Sequence, residues 1–474
     1  MTGGMISDAA AMAPEAVMFL GALSVLVGGS FTPRTSQWKM RGLAALTALI
    51  SIGLSAYGLT REPLAAFTGT FSVDNVTGAS RLVVGAAVLI VLALGADEMA
   101  GHARESETYA LILIGATGAQ LLAGTTDLTL LIAAFFLSSI PLYGLIGIVA
   151  RKSSAEAALK TYLLGALLGI MMMLGVTVLV SVIGGSGYSA LHNATALTAV
   201  TAGAVLVMAG LLFESGAVPG HYWVPDGAQG GSATAAAFLT TIPKIGGLVA
   251  TARFVAALPE NGVREWAVLL GVLAGVSMTV GNLAAYPQTD PRRLLGWSSV
   301  SQVGYLLVPA AVATTSSLAA PSLLFYLAGY ALSNLGAFAV SAALPRRREL
   351  SDYGGLARQH PLLAGALVVV LLSLVGTPPT AVFVGKLTVT AAAWDGGLAW
   401  LAVLVLVNSM LSLFYYLRWI APMFAFGSEQ ATSEADAALQ PWAAYTSVVT
   451  AVLVLGFGAG AALFWDQISA ARFG

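Results

Sequence analysis

Three ionisable residues inside long apolar runs are the clearest candidates for chemistry in this chain. Glu214 lies in VLVMAGLLFESGAVPG, Lys244 in AAFLTTIPKIGGLVA and Lys386 in TPPTAVFVGKLTVTAA. A charge at the centre of a bilayer costs about 2.5–3.5 kcal/mol on insertion scales, so such residues usually face a bundle interior and usually have a function. The alternative is structural, with the side chain lying near a helix end and extending to the membrane surface. We favour a function for all three residues.

Helix-breaking prolines lie close to each of these charges. Pro219 follows Glu214, Pro243 directly precedes Lys244, and a Pro-Pro pair precedes Lys386. A break at membrane depth frees backbone groups, which must find partners inside the protein or next to water. One proline-interrupted, charged segment in each half of a chain is typical of transporters built from inverted repeats. The pattern therefore predicts a broken helix in each half.

The chemistry that these residues predict is a proton or cation path at mid-membrane. A lysine that has been removed from water can lose its proton, and a neighbouring carboxylate favours keeping it. Movement of that carboxylate would switch the lysine between holding and releasing a proton. Glu214, or Glu156 near the inner end of the sixth helix, could be the carboxylate, and the sequence does not choose between them.

Composition places the chain in a membrane. Hydrophobic residues make up 58% of the chain and charged residues only 9%, against about 25% charged residues in soluble domains. The net charge of −1 provides no basic field for nucleic acid. The chain has no cysteine, which excludes disulfides, thiolate metal sites and cysteine-bound iron–sulfur clusters. Its four histidines are not spaced as helical metal or haem ligands, so we expect no redox centre inside this chain.

Apolar runs between polar breaks predict an all-α integral membrane protein with about fourteen transmembrane helices. Each run approaches the roughly 20 residues that a membrane-spanning helix needs. They centre on 15–31, 41–60, 79–96, 108–126, 128–149, 157–183, 194–216, 232–257, 264–285, 294–314, 316–344, 361–390, 397–424 and 441–465. No Lys or Arg precedes Arg34, so we interpret the first run as a permanent helix and not as a cleaved signal peptide.

The distribution of Lys and Arg predicts the orientation. With both termini on the outer side, the inner connections hold 14 basic residues and the outer ones hold 5. Lys244 and Lys386 are the remaining two of the 21. This bias agrees with the positive-inside rule. A miscounted helix in mid-chain would exchange the inner and outer connections after it and remove the bias.

Several stretches resemble one family. VPGHYWVPDGAQGGSATAAAFLTTIPKIG, RRLLGWSSVSQVGYLL and LLSLVGTPPTAVFVGK are similar to the seventh-to-eighth, tenth and twelfth helical segments of the antiporter-like subunits of respiratory complex I. Together with SSAEAALKTYLLGA, they are most similar to subunit N of the bacterial proton-pumping NADH:quinone oxidoreductase. The resemblance covers about residues 105–425, in order and at the expected spacing.

The resemblance implies an antiporter-like fold with two inverted five-helix repeats and broken seventh and twelfth helices. It implies a multi-pass protein of the bacterial inner (plasma) membrane whose partners are other membrane subunits, with protons as the transported ion and no cofactor in this chain. We divide the chain into an N-terminal three-helix segment, two repeats and a C-terminal helix: 1–107, 108–258, 259–425 and 426–474.

Four of the family's functional positions carry matching residues. The eighth-helix lysine falls on Lys244 and the twelfth-helix lysine on Lys386, while the sixth-helix segment keeps Glu156 and Lys160. With Glu214, these are the residues that we predict for a proton path. Asp226, which is followed by glycine, we expect to cap the eighth helix or fix the turn before it.

Three positions depart from the family pattern. The fifth-helix glutamate is replaced by Phe136, the seventh-helix lysine by Glu214, and a tenth-helix histidine by Gln302. One interpretation is an altered proton route in which Glu214 pairs with Lys244 or Lys160, and we prefer it. Another is a structural paralogue with impaired pumping. A third, from a different class, is a stand-alone cation/proton antiporter.

Overall fold

The computed structural model describes residues 2–425 and 439–473, which form a bundle of helices. In chain order the helices are α1 (Thr2–Ala11), α2 (Ala13–Phe31), α3 (Trp38–Gly58), α4 (Asn75–Leu94), α5 (Ala96–Met99), α6 (Glu105–Gly124), α7 (Leu128–Gly147), α8 (Lys152–Ile183), α9 (Tyr188–His192), α10 (Leu197–Ser215), α11 (Trp223–Gly230), α12 (Ala233–Ala256), α13 (Val263–Ala285), α14 (Pro291–Ala311), α15 (Ala319–Ala343), α16 (Leu356–Gln359), α17 (Pro361–Val375), α18 (Ala381–Asp395), α19 (Ala399–Met423), α20 (Pro441–Ala459) and α21 (Ala461–Ile468). Two short strands, β1 (Leu64–Ala66) and β2 (Phe71–Val73), pair antiparallel.

Within the described residues, eleven helices are long and apolar enough to cross a membrane. The other three predicted segments fall on α6, on α14 and on the pair α17 and α18. Glutamates in the first turn of α6 and two arginines at the start of α14 lower the hydropathy of those helices, and α17 and α18 are only 15 residues each. The multi-pass membrane architecture is confirmed, while the count of fourteen crossings stays a prediction.

Two helices are broken at matching positions, as predicted for the seventh and twelfth helices. α10 ends at Ser215, and Gly216 follows with φ of 74°. α17 ends at Val375, and Gly376 follows with φ of 91°. A proline lies three residues after each glycine. Glycine adopts this left-handed conformation without the steric cost of a Cβ, so it ends each helix where the lysines approach.

The centre of the bundle is formed by α12 and α15. The membrane-spanning stretch of α12 is entirely buried and that of α15 nearly so, whereas α3 and α8 are mostly exposed. α12 packs against α4, α6, α14 and α15. Lys244 lies on α12, so its surroundings are protein on every side.

Both chain ends lie on one face of the bundle, which we call the termini face. The backbone N–H of Phe67, beside β1, donates to the Asp8 carboxylate at 3.0 Å. At the other end of the chain, the carbonyl of Phe473 accepts from Arg253, which also binds Asp74 next to β2. The hairpin therefore lies between the two ends of the chain.

Arg253 holds several elements together at this face. Its guanidinium, 1% exposed, donates to both carboxylate oxygens of Asp74 at 2.6 and 2.7 Å and to the carbonyl of Ala123 at 2.8 Å. Burial alone would raise the pKa of Asp74, but the charge of Arg253 and the hydrogen bonds to the carboxylate outweigh it and hold that pKa below its usual range. One guanidinium thus connects α4, α6 and α12.

We predict that Arg253→Met destabilises the protein by about 3 kcal/mol or more, because removing one partner of a buried ion pair leaves the other charge uncompensated. The thermal unfolding midpoint of the purified protein measures this. Arg264→Met is the matched control, since Arg264 is exposed at the start of α13. Equal midpoints for the two variants would contradict the role assigned to Arg253.

Candidate functional site

The ammonium group of Lys244 binds the carbonyl end of α10. Its Nζ donates to the carbonyl oxygen of Ser215 at 2.7 Å, and it lies 5.5 Å from the centre of the Trp223 ring. Trp223 is fixed in turn by a hydrogen bond from its indole nitrogen to the carbonyl of Phe213 at 3.1 Å. The last carbonyls of a helix carry partial negative charge, so this helix end stabilises the cation.

Lys386 makes the corresponding contact at the second break. Its Nζ donates to the carbonyl oxygens of Val375 at 2.9 Å and Leu374 at 3.1 Å, and it lies 4.1 Å from the centre of the Tyr305 ring. Val375 directly precedes its left-handed glycine, as Ser215 does in α10. The structure therefore places the two lysines at equivalent helix ends, although one comes from α12 and the other from α18.

The glycines at the two breaks also make room for the lysines. A Cβ atom on Gly216 would lie 2.4 Å from Nζ of Lys244, and one on Gly376 would lie 2.9 Å from Cδ of Lys386. A side chain at position 216 would meet the ammonium group itself, and one at position 376 would meet the aliphatic part of the lysine.

Glu214 lies beside Lys244 at the interface of α10 and α12. It is fully buried, and one carboxylate oxygen accepts from the hydroxyl of Ser139 at 2.7 Å. A Cβ on Gly247, three residues after Lys244, would lie 3.1 Å from Cγ of Glu214, which shows how closely the two helices approach. The lysine donates to the Ser215 carbonyl and not to the carboxylate, but the two charges are near enough to interact.

Phe136 lies on α7 and makes apolar contacts. Its ring meets that of Phe135 edge-on at 5.2 Å between centroids, and a Cβ on Gly169 of α8 would lie 3.3 Å from it. Ser139, one turn further along α7, binds Glu214. In the first half of the chain, the buried carboxylate therefore belongs to α10, and it accepts a hydrogen bond from a hydroxyl on α7.

A first polar link leads from the helix of Lys244 towards the second half. The hydroxyl of Tyr330 donates to the carbonyl of Thr240 at 2.6 Å and shares a hydrogen bond with Ser299 at 2.7 Å. Asn334 donates to the hydroxyls of Thr240 and Thr241 at 2.8 and 2.9 Å. These groups join α12, α14 and α15 one turn before Lys244.

A second link ends at Lys386. Tyr326 donates to Oε1 of Gln302 at 2.6 Å, and Nε2 of Gln302 donates to the carbonyl of Leu374 at 2.9 Å. That carbonyl also accepts from Lys386. Gln302 lies three residues after Ser299 on α14, and Tyr326 lies four residues before Tyr330 on α15, so the two links are about one helical turn apart.

Tyr326, Tyr330 and Asn334 were not among the residues predicted from the sequence. Tyrosine counts among the hydrophobic residues in the composition of the chain, and a lone asparagine in a long apolar run carries little weight. The available signal was the spacing, since residues 326, 330 and 334 recur every four positions and so lie on one face of a helix.

Glu156 and Lys160 lie apart from the buried lysines. They pair with each other at 2.8 Å, with side chains that are 61% and 54% exposed. Lys160 also contacts Asp226 at 3.2 Å, and Arg293 pairs with Asp226 at 2.7 Å. Of the two lysines considered as partners of Glu214, Lys244 is therefore the one that lies beside it. Glu156, the other carboxylate considered, lies at the surface of the bundle.

The expected capping role of Asp226 is wrong. The cap of α12 is Ser232, whose hydroxyl accepts from the N–H of Ala235 at 3.0 Å. Asp226 lies instead in the first turn of α11, in the ion pairs with Lys160 and Arg293.

Comparison with known proteins agrees with this geometry. Residues 125–412 match the family described as NADH:quinone oxidoreductase/Mrp antiporter, transmembrane. The chain is 54% identical to NADH-quinone oxidoreductase subunit N of Mycobacterium sp. strain JLS over 462 residues, which covers 97% of this chain and 98% of the relative. The chain belongs to the subunit N family. Subunit N 1 of Streptomyces griseus is 45% identical over 471 residues, covering 98% of both chains.

A solved structure has the same fold as this member of the subunit N family. A chain of respiratory complex I from Thermus thermophilus with bound aureothin superposes with a TM-score of 0.82 at 29% sequence identity, covering 96% of this chain and 98% of that one. The predicted resemblance and the predicted antiporter-like membrane fold are therefore confirmed.

We predict that Gly376→Ala lowers stability by about 1–2 kcal/mol, because the residue is left-handed and a Cβ there meets Lys386. Gly365→Ala is the control, since Gly365 is helical in α17 and nothing lies within 4 Å of its added Cβ. That change should be neutral or slightly stabilising, because alanine favours helix more than glycine does. Thermal unfolding midpoints that rank the two variants in the opposite order would contradict this assignment.

Proposed function

We propose that this chain is a non-redox membrane-arm subunit of an NADH:quinone oxidoreductase and takes part in proton translocation, while other subunits transfer the electrons. The observation that carries the proposal is the pair of buried lysines, each bound to the carbonyl end of a broken helix, with buried polar side chains on the helices that lie between them. The names of its relatives support the same complex. In this proposal its partners are other membrane subunits, and the chain holds no cofactor.

The proposed location is the bacterial inner (plasma) membrane, with both termini on the outer side. The excess of Lys and Arg in the connections on the opposite side supports this orientation. The common position of the two chain ends on the termini face agrees with it.

In the first half, the proposed switch is the interaction between Lys244 and Glu214. While Glu214 is ionised, its charge helps Lys244 to hold a proton in a fully buried site. When Glu214 is protonated or moves away, the ammonium keeps only carbonyl and aromatic partners and releases its proton more readily. Ser139 holds the carboxylate at the interface of α7, α10 and α12.

The two polar links are the proposed parts of the route of a proton between the lysines. Hydroxyls such as those of Tyr330 and Ser299 both donate and accept, whereas the carbonyls of Thr240 and Leu374 only accept. Transfer past those carbonyls therefore needs water as the carrier. Lys386 at the far end is the proposed proton-holding group of the second half.

In this proposal each of the two repeats contains one helix break and one proton-holding lysine. Residues 108–258 contain the first glycine and proline break and Lys244, and residues 259–425 contain the second and Lys386. Residues 1–107 would flank the first repeat and residues 426–474 the second. The equal Gly-to-Pro spacing in the two breaks supports two repeats of common design.

We predict that Lys386→Ala lowers NADH-driven proton pumping at least several-fold in inverted membrane vesicles, because the second half loses its buried proton-holding group. Lys39→Ala is the matched control, since Lys39 is exposed at the start of α3. Assembly and NADH oxidation with an artificial acceptor are measured on the same membranes.

Unchanged pumping by an assembled Lys386→Ala complex would refute the assignment of this lysine. If NADH drives no pumping even in the parent and the protein purifies alone, a stand-alone cation/proton antiporter would replace the proposal.

We predict that Glu214→Gln also lowers pumping, because glutamine keeps the shape and the hydrogen bond from Ser139 but carries no charge to modulate Lys244. Glu260→Gln is the control, since Glu260 is exposed between α12 and α13. Equal pumping by the two variants, in complexes that assemble equally, would show that this copy is a structural paralogue in its first half.

A further inference from the structure

A groove of about 590 Å³ opens on one side of the bundle between α4, α15 and the C-terminal helices α20 and α21. Its volume lies in the range of about 300–1,000 Å³ that is usual for small-molecule pockets. Apolar side chains line it, except for Asn75 and Gln467 near one end. None of its lining residues belongs to the candidate proton path.

Small side chains create this groove. On α4 the lining residues recur every three to four positions and form one face of the helix, with alanine at 79, 86 and 87. Across the groove, α15 contributes Ala328 and Ala331. Phe325 stacks on Phe457 at 4.6 Å between ring centroids, and this aromatic pair forms part of the wall on the C-terminal side.

The length of the groove matches one leaflet of a bilayer. Its α4 face runs from Asn75 to Ile90, which is about 22 Å of helix. A bilayer with its headgroups is about 40–45 Å thick, so a single leaflet is about 20–22 Å. The polar end of the groove, at Asn75, lies next to Asp74 on the termini face.

A cationic side chain lies at that polar end. Leu59 and Asn75 line both the groove and a small adjacent cavity that Arg61 also lines. The guanidinium of Arg61 lies 4.8 Å from the centre of the Tyr57 ring, in an exposed turn after α3. Among the described residues, Arg61 forms no ion pair with a carboxylate, whereas Arg81 in the same cavity is paired with Glu15 at 2.6 Å.

We propose that the groove binds one acyl chain of a phospholipid from the leaflet on the termini face, with the lipid phosphate bound by Arg61. Arginine is well suited to a phosphate because its planar group can donate two parallel hydrogen bonds. The apolar length then accommodates the chain below the headgroup. The site is separate from the proton path and does not depend on the proposed function.

The observations favour a lipid over a quinone tail. The isoprenoid tail of a quinone would fit the apolar part but carries no charge to meet Arg61. A phospholipid matches both the apolar length and the cation.

The test uses the full chain in its native membrane complex, in vesicles of phosphatidylethanolamine and phosphatidylglycerol that contain a phosphatidylglycerol with a diazirine on its acyl chain. After illumination, mass spectrometry locates the labelled peptides. We expect label on α4 and α15 inside the groove, reduced about ten-fold by Ala86→Phe, which fills it, and several-fold by Arg61→Gln. Ala133→Phe is the control, since Ala133 is exposed on α7 outside the groove.

Loss of groove label in both test variants, with the control unchanged, supports the proposal. If Ala86→Phe fails to fold, Arg61→Gln decides alone, because it changes only an exposed side chain. Label that is spread evenly over exposed helices such as α8, or that stays unchanged in Arg61→Gln, would overturn the proposal. Displacement of the label by a long-tailed quinone, but not by unlabelled phospholipid, would assign the groove to an isoprenoid tail and also overturn it.

Discussion

The interaction on which the centre of this protein depends is that between a buried ammonium group and the open carbonyl end of a broken helix. Each component alone would be costly in a membrane, because unpaired carbonyls and unpaired charges both lose their hydration there. Together they satisfy each other, as in the contacts of Lys244 with Ser215 and of Lys386 with Val375. The left-handed glycines end the two helices where the lysines approach, and a Cβ at either glycine would contact the lysine.

The placement of the carboxylate distinguishes the first half of this chain. The family pattern has a glutamate at the α7 position and a lysine at the α10 position. In this chain those positions carry Phe136 and Glu214. Ser139 compensates in part, since its hydroxyl holds the Glu214 carboxylate against α7. The acid and Lys244 therefore lie on adjacent helices, α10 and α12, and the lysine donates to the Ser215 carbonyl, which directly follows the acid in the chain.

Between α12 and α18, the two helices that carry the buried lysines, lie α14 and α15, which bear both polar links. Gln302 on α14 connects Tyr326 of α15 to the same Leu374 carbonyl that binds Lys386. At the termini face, Arg253 ties α12 to α4 and α6 and restrains the other end of the helix that bears Lys244. The core of the bundle is thus connected by ionic contacts at one end and is polar in its middle.

The membrane class, the two helix breaks and the buried lysines could all be predicted from the amino-acid sequence. These properties are local: a low charge content, a glycine with a proline three residues later, and a lysine within an apolar run can all be read along the chain. The contact partners of the polar side chains became clear only from the three-dimensional structure. It placed Glu156 and Lys160 at the surface with Asp226, and it brought Tyr330 to Thr240 and Arg253 to Asp74. The physical reason is that a buried polar group binds whichever neighbouring helix offers a partner, and helix neighbours in a bundle are set by packing between segments far apart in sequence.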